Sequence, residues 1–198
     1  MVSMGIDNWV KVVVVACFFI NSIYSKGGTV RGKRDQVLLI FAMAFTLIAD
    51  IFMVLLGMNA VGVLAFCIVQ ALHNYRFTNK GRLITQIALG SITIVVALLS
   101  GFNLLFALGG AYAVFLFFSV SGAFMAYPKY PAPNNLMIVL GMLLFMGCDI
   151  FVAIYYLGVD MDPEVREFAF RAIWFCYFPS QALLSSSARR AKKHEDDE

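Results

Sequence analysis

The chain has 198 residues, 61% of them hydrophobic and only 14% charged, with a mean hydropathy of +0.82 and a formal net charge of +3. Values this far from soluble norms fit one integral membrane domain and exclude a separate soluble catalytic domain. The basic residues sit in short loops beside apolar runs, so the net charge is no sign of nucleic-acid binding, and their sidedness matters more than their sum.

The first apolar run, about Trp9–Tyr24, is followed rather than preceded by its bases, Lys26, Arg31, Lys33 and Arg34, and contains no A-x-A cleavage site. It is therefore expected to be a retained helix with its N-terminus outside, not a signal peptide. The second, Val37–Leu56, is twenty nearly unbroken apolar residues, about the length an α-helix needs to cross roughly 30 Å of hydrocarbon. Well inside it lies one acid, Asp50. A carboxylate there costs about 2.5–3.5 kcal/mol on insertion scales and is usually tolerated only with a partner or a task. Further spans are expected at about 60–76, 83–100, 103–126, 136–157 and 168–187, punctuated by Gly57, Gly101 and the Pro-rich stretch Pro128–Pro133. Gly109-Gly110 mark a place where the fifth span is open to a kink. The sixth repeats the pattern of the second, with Asp149 as its only acid.

Seven spans make an all-α polytopic bundle, residues 1–188, followed by a charged cytoplasmic tail, 189–198. Loop charges orient it. Loops one, three and five and the C-terminus hold the bases, whereas the alternate loops hold almost none and the last is acid-rich (Asp160, Asp162, Glu164 and Glu167 against Arg166). That alternation predicts N-out and C-in, in the plasma (inner) membrane if the cell is bacterial. Spans two and six then run the same way, and Asp50 and Asp149 each lie 13 residues after the starts of their spans. At about 1.5 Å per residue both sit roughly 20 Å from the inner face. Each has a helical stripe suited to an interior: Met43/Thr46/Asp50/Met53/Gly57 and Met142/Phe145/Asp149/Val152/Tyr156. The expectation is that spans two and six pack together, bring the carboxyls within about 10 Å, and line a polar cavity opening toward the outer leaflet.

Short identities hint at an internal repeat. Asp50-Ile51-Phe52 matches Asp149-Ile150-Phe151, and Gln70-Ala71-Leu72 matches Gln181-Ala182-Leu183, with an aromatic four residues earlier in each case (Phe66, Tyr177). Spans one to three and five to seven read as two parallel triplets joined by span four, an arrangement transporters use.

Other constellations are poor. Cys17, Cys67, Cys148 and Cys176 fall one to a span without a C-x-x-C and read as apolar fillers. Only His73 and His194 exist, so a three-His zinc site cannot be assembled, and His73 reads as interfacial or packed. The seventh span lacks a lysine for a retinal Schiff base, and Ser185–Ser187 lack a matching histidine. No metal or other cofactor is implied.

Taken in series, Trp9-Val10-Lys11, Ala49-Asp50, Phe66-x-x-x-Gln70, Phe145-x-x-Cys148-Asp149 and Tyr177-x-x-x-Gln181 resemble the YhhN-like membrane proteins, which include the lysoplasmalogenases. Most of the chain is covered. Members of that family usually have Lys-Pro where this chain has Lys11-Val12, Gly-Asp where it has Ala49-Asp50, and His where it has Gln70. The resemblance implies hydrolysis of the vinyl-ether bond of a single-chain ether phospholipid, with Asp50 and Asp149 catalytic and Gln70, Tyr177 and Gln181 supporting. Two carboxyl groups in different protonation states suit that chemistry, as they do glycoside hydrolysis. Lys11 and Arg171, within about one turn of the outer ends of their spans, either snorkel to the interface or hold the substrate phosphate. The alternative is a small-solute or lipid transporter whose acids bind a proton or cation; a structural membrane protein without a ligand is a third.

Overall fold

A computed structural model describes residues 6–24, 32–129, 133–157 and 161–188. Lys26, Arg31, Asp160 and the tail 189–198 lie outside the described residues. Seven α-helices account for nearly all of them: α1 (Ile6–Tyr24), α2 (Lys33–Asp50), α3 (Asn59–Phe77), α4 (Lys80–Leu99), α5 (Leu104–Ala126), α6 (Pro133–Leu157) and α7 (Pro163–Ser186). No strand occurs among the described residues. One turn of π-helix, Ile51–Leu55, continues α2 directly after Asp50.

Local chemistry sets the ends. Asn79 and Asn103 cap α4 and α5 by accepting from the backbone N–H of Arg82 and Phe106. Asp162 does the same for Glu164 at the start of α7, with Pro163 in the first turn, so α7 begins five residues before the apolar run that announces it. Gly57 and Gly101 take positive φ (64° and 84°) where the second and fourth spans end. Gly109-Gly110 do not break α5. A Cβ on Gly110 would lie 3.2 Å from Thr93 Cγ2, so this glycine lets α4 approach.

Six helices are long and apolar enough to cross a membrane. The seventh has the length but not the hydropathy, because its inner face is polar. Ser180 donates to the carbonyl of Gly141 on α6 at 2.8 Å, and Ser185 accepts from Asn21 Nδ2 on α1 at 3.1 Å. Ser180 and Ser185 are thus satisfied against α6 and α1, while the outer face of α7 keeps Phe168, Phe170 and Phe175 exposed.

Six helices close a ring in the order α1, α2, α3, α5, α6, α7 and back to α1, while α4 lies outside against α5 and α3. Exchanging the triplet α1–α3 for α5–α7 leaves these neighbour relations unchanged. The ring also corrects one expectation: α2 and α6 do not pack against each other among the described residues. Helix α7 packs along α6 and touches α2 only marginally, with α1 between α2 and α7 on the ring. The main core is built from Val120, Ile138, Met142, Phe145, Ile173, Tyr177 and Leu184, among others. Large apolar side chains such as Leu99, Phe117 and Phe175 face outward, as expected of a surface against lipid.

Candidate functional site

The inward stripes hold as far as the acids and then leave the interior. On α2, Met43, Thr46 and Asp50 are buried; on α6, Met142 and Phe145 are buried while Tyr156, two turns further, is 62% exposed. The π turn changes the register of α2 at the same level, since its wider ring of bonds (Leu56 N–H to Ile51 carbonyl, 3.1 Å) carries an extra residue.

Each carboxylate is held by a tyrosine from a neighbouring helix. Tyr177 of α7 donates its hydroxyl to Asp50 Oδ2 at 2.6 Å, and Tyr112 of α5 donates to Asp149 Oδ2 at 2.6 Å. These are short, charge-assisted distances. Behind Tyr112 lies a relay: Gln70 Nε2 donates to the Tyr112 oxygen at 3.4 Å, and Ser119 donates to Gln70 Oε1. Gln70 is thus placed in the Asp149 half of the site, although it comes from the triplet of Asp50.

The two halves meet through aromatic rings. Tyr112 and Phe66 have centroids 6.2 Å apart, Phe66 and Phe145 stand edge-to-face at 6.0 Å, and Phe145 and Tyr177 do so at 6.0 Å. Phe145, 1% exposed, stands between the rings of Phe66 and Tyr177. Asp50 is 6% exposed and Asp149 remains the more open of the two.

The remaining candidates divide. Gln181 is buried on α7, one turn after Tyr177, and its Nε2 has no hydrogen-bond partner among the described residues. Trp174, one turn before Tyr177, likewise has a buried Nε1 without a partner among the described residues and stands edge-to-face on Tyr177. Lys11 Nζ caps the rings of Trp174 (4.3 Å to the centroid) and Phe170 (4.9 Å). Arg171 instead points outward and pairs with Glu167 one turn away, so the structure does not bring it to Lys11. His73 is packed, stacked on Phe77 at 5.6 Å.

Sequence reading missed Tyr112, Ser119 and Trp174. For Tyr112 a signal existed. It is the only tyrosine of its span and lies nine residues from Asn103, while Asp149 lies eight from Leu157 at the same end of the bundle. At about 1.5 Å per residue that puts the two at nearly one depth. Ser119 and Trp174 carry no such mark, because serines and tryptophans are common in spans that do nothing but pack.

No curated protein and no solved structure matches this chain. The profile of the YhhN family matches residues 7–188, which takes in all seven helices but the first residue of α1. The chain belongs to the YhhN family.

Proposed function

We propose that this membrane protein is a lysoplasmalogenase-like hydrolase that cleaves the vinyl-ether bond of a single-chain ether phospholipid, with Asp50 and Asp149 as its acid/base pair. The observation that carries the reading is the pair of aspartates, each held at 2.6 Å by its own tyrosine, with the two tyrosines joined through the rings of Phe66 and Phe145. Their surroundings differ: Tyr112 is backed by Gln70 and Ser119, whereas Tyr177 packs on Trp174 and Phe145. Unequal surroundings let one carboxyl hold a proton while the other is ionised.

In the proposed reaction the protonated carboxyl gives its proton to the β-carbon of the alkenyl group, and the ether oxygen's lone pair completes an oxocarbenium ion. The second carboxylate takes a proton from water as the water oxygen bonds to the cationic carbon. The hemiacetal then loses its hydroxyl proton to the first carboxylate, and the second protonates the departing glycerol oxygen. One water is consumed, fatty aldehyde and glycerophospho head group leave, and both carboxyls return to their starting states. Lys11 is the cation we assign to the substrate phosphate; Arg171, engaged with Glu167, has the weaker claim.

Purified protein given alkenyl-lysophospholipids should release aldehyde. Asp50→Asn and Asp149→Asn should each lower kcat by about 10²–10⁴-fold with lipid binding largely kept, and the double variant should be little worse than the poorer single. Absence of turnover in every head-group class, or activity surviving in the double variant, would overturn the reading. The exchangeable triplets of the ring favour the transporter alternative. That reading requires labelled-solute exchange in liposomes that loses its proton or cation dependence in the Asn variants.

A further inference from the structure

The seam between α5 and α6 is closed on one side of Asp149 and open on the other. A short connection makes these helices antiparallel neighbours. The Tyr112–Asp149 hydrogen bond ties them at 2.6 Å, and both residues of the tie are partly exposed. Residues about one and two turns away share a face with each member of the tie. In one direction those residues are Leu116, Ser119 and Ala123 on α5 and Phe145, Met142 and Ile138 on α6, and all six are buried. In the other they are Gly109 and Leu105 on α5 and Ala153 and Tyr156 on α6, and all four are exposed.

The open stretch is a wedge with Asp149 at its closed end, about 12 Å from the end of α6 by helical rise. Its α5 wall is bare: a Cβ on Gly109 would meet nothing within 4 Å, whereas one on the next residue, Gly110, would lie 3.2 Å from Thr93 of α4. Exposed Phe106 and Ile150 flank the wedge, and Asp149 is the only charged residue of the two helices. An apolar opening at that depth is filled by hydrocarbon rather than water. A carboxyl left partly open to hydrocarbon is costly unless it serves what enters there. Apolar walls suit an alkyl chain, and the carboxyl at their end suits the polar group to which that chain is attached.

We infer that the opening between 105–112 of α5 and 149–156 of α6 is a lateral entry for the hydrocarbon chain of a single-chain lipid. The chain lies against the bare Gly109 backbone, and the polar end of the lipid comes to Asp149. Gly109 sets what passes, because a larger side chain there occupies the path. The inference rests on the hydrolase reading only for the identity of the bond that is brought to Asp149.

The test uses the full chain in a neutral detergent and an acyl lysophosphatidylcholine with a diazirine in its chain, a probe without a vinyl ether to cleave. Labelled peptides are mapped by mass spectrometry, and only label displaced by excess unlabelled lysolipid is counted. Wild type should carry displaceable label on 105–112 and 149–156. Gly109→Leu and Ala153→Leu should each reduce it at least tenfold. Ala88→Leu adds bulk to an exposed position of α4 and should label as wild type does. The inference is overturned if no label is displaceable, if displaceable label falls on other helices, or if Gly109→Leu labels as strongly as wild type. Equal loss in all three variants also overturns it. A second arm separates it from the hydrolase reading: label in the gap without aldehyde release from an alkenyl-lysophospholipid keeps the entry and removes the hydrolase. Aldehyde release with label elsewhere does the reverse. Gly109 has open space beside it and Ala153 is exposed, so neither replacement is expected to unfold the chain, as thermal midpoints would verify.

Discussion

Asp35 and Arg76 form a buried ion pair whose worth depends on both members being present. Removing one partner of such a pair leaves an uncompensated charge and typically costs about 3–5 kcal/mol, whereas replacing both with apolar groups of similar size is often neutral. Asp35→Asn should therefore lower the unfolding free energy in detergent by about that amount. The double change Asp35→Leu/Arg76→Met should recover most of the loss, as judged by denaturant midpoints. A double variant as unstable as the single would mean that the pair stabilises on its own account. The same rule explains why Asp50 and Asp149 are legible from sequence while their tyrosines are less so. An acid in an apolar run has no bland explanation; a tyrosine in one has many.

At the level of the element, α2 shows how a helix can change face midway. The π turn Ile51–Leu55 follows Asp50 directly and packs against Gly62 of α3. A Cβ on Gly62 would fall 2.0 Å from Met53 Cγ and 3.2 Å from the Ala49 carbonyl oxygen, so Met53 and the π turn would have to move. Gly62→Ala should cost about 1–3 kcal/mol as overpacking and, on the proposed function, should reduce aldehyde release more than lipid binding, because it presses on the segment next to Asp50. Gly109→Ala is the counterpart. Nothing lies within 4 Å of that Cβ, and a helical Gly→Ala change there should stabilise by up to about 1 kcal/mol. Melting both variants beside wild type separates packing from propensity. Nothing in the residues Ile51–Leu55 announces a π turn, whose Met53 lies against Gly62 of α3.

For the molecule as a whole, orientation is an expectation carried by the loop bases. Reporter fusions after Lys80 and after Asp160 should report opposite sides of the membrane, with the former inside. Both on one side would also remove the equal-depth reasoning for Asp50 and Asp149. The ring accounts for α4: joining two three-helix sets that run parallel requires one extra crossing, and that helix has no place in the interior. Its residues are accordingly exposed almost all round, with Gln86 and Gly90 its buried ones.

Length, hydropathy and the two stranded acids were enough to determine a helical membrane protein and the residues around which it is built, because crossing hydrocarbon imposes a length and forbids a free carboxylate. Short motifs in series were enough for the family. Partnership was out of reach. The sequence joins Gln70 to the half of Asp50, yet the fold gives it to Asp149 through Tyr112. The sequence also suggests that spans two and six pack together, yet they share no contact among the described residues and it is α7 that delivers Tyr177 to Asp50. Periodicity fixes which face of a helix turns inward and depth fixes how far along it a residue lies. Neither fixes which helix stands opposite, and that depends on how all the inward surfaces fill one interior together.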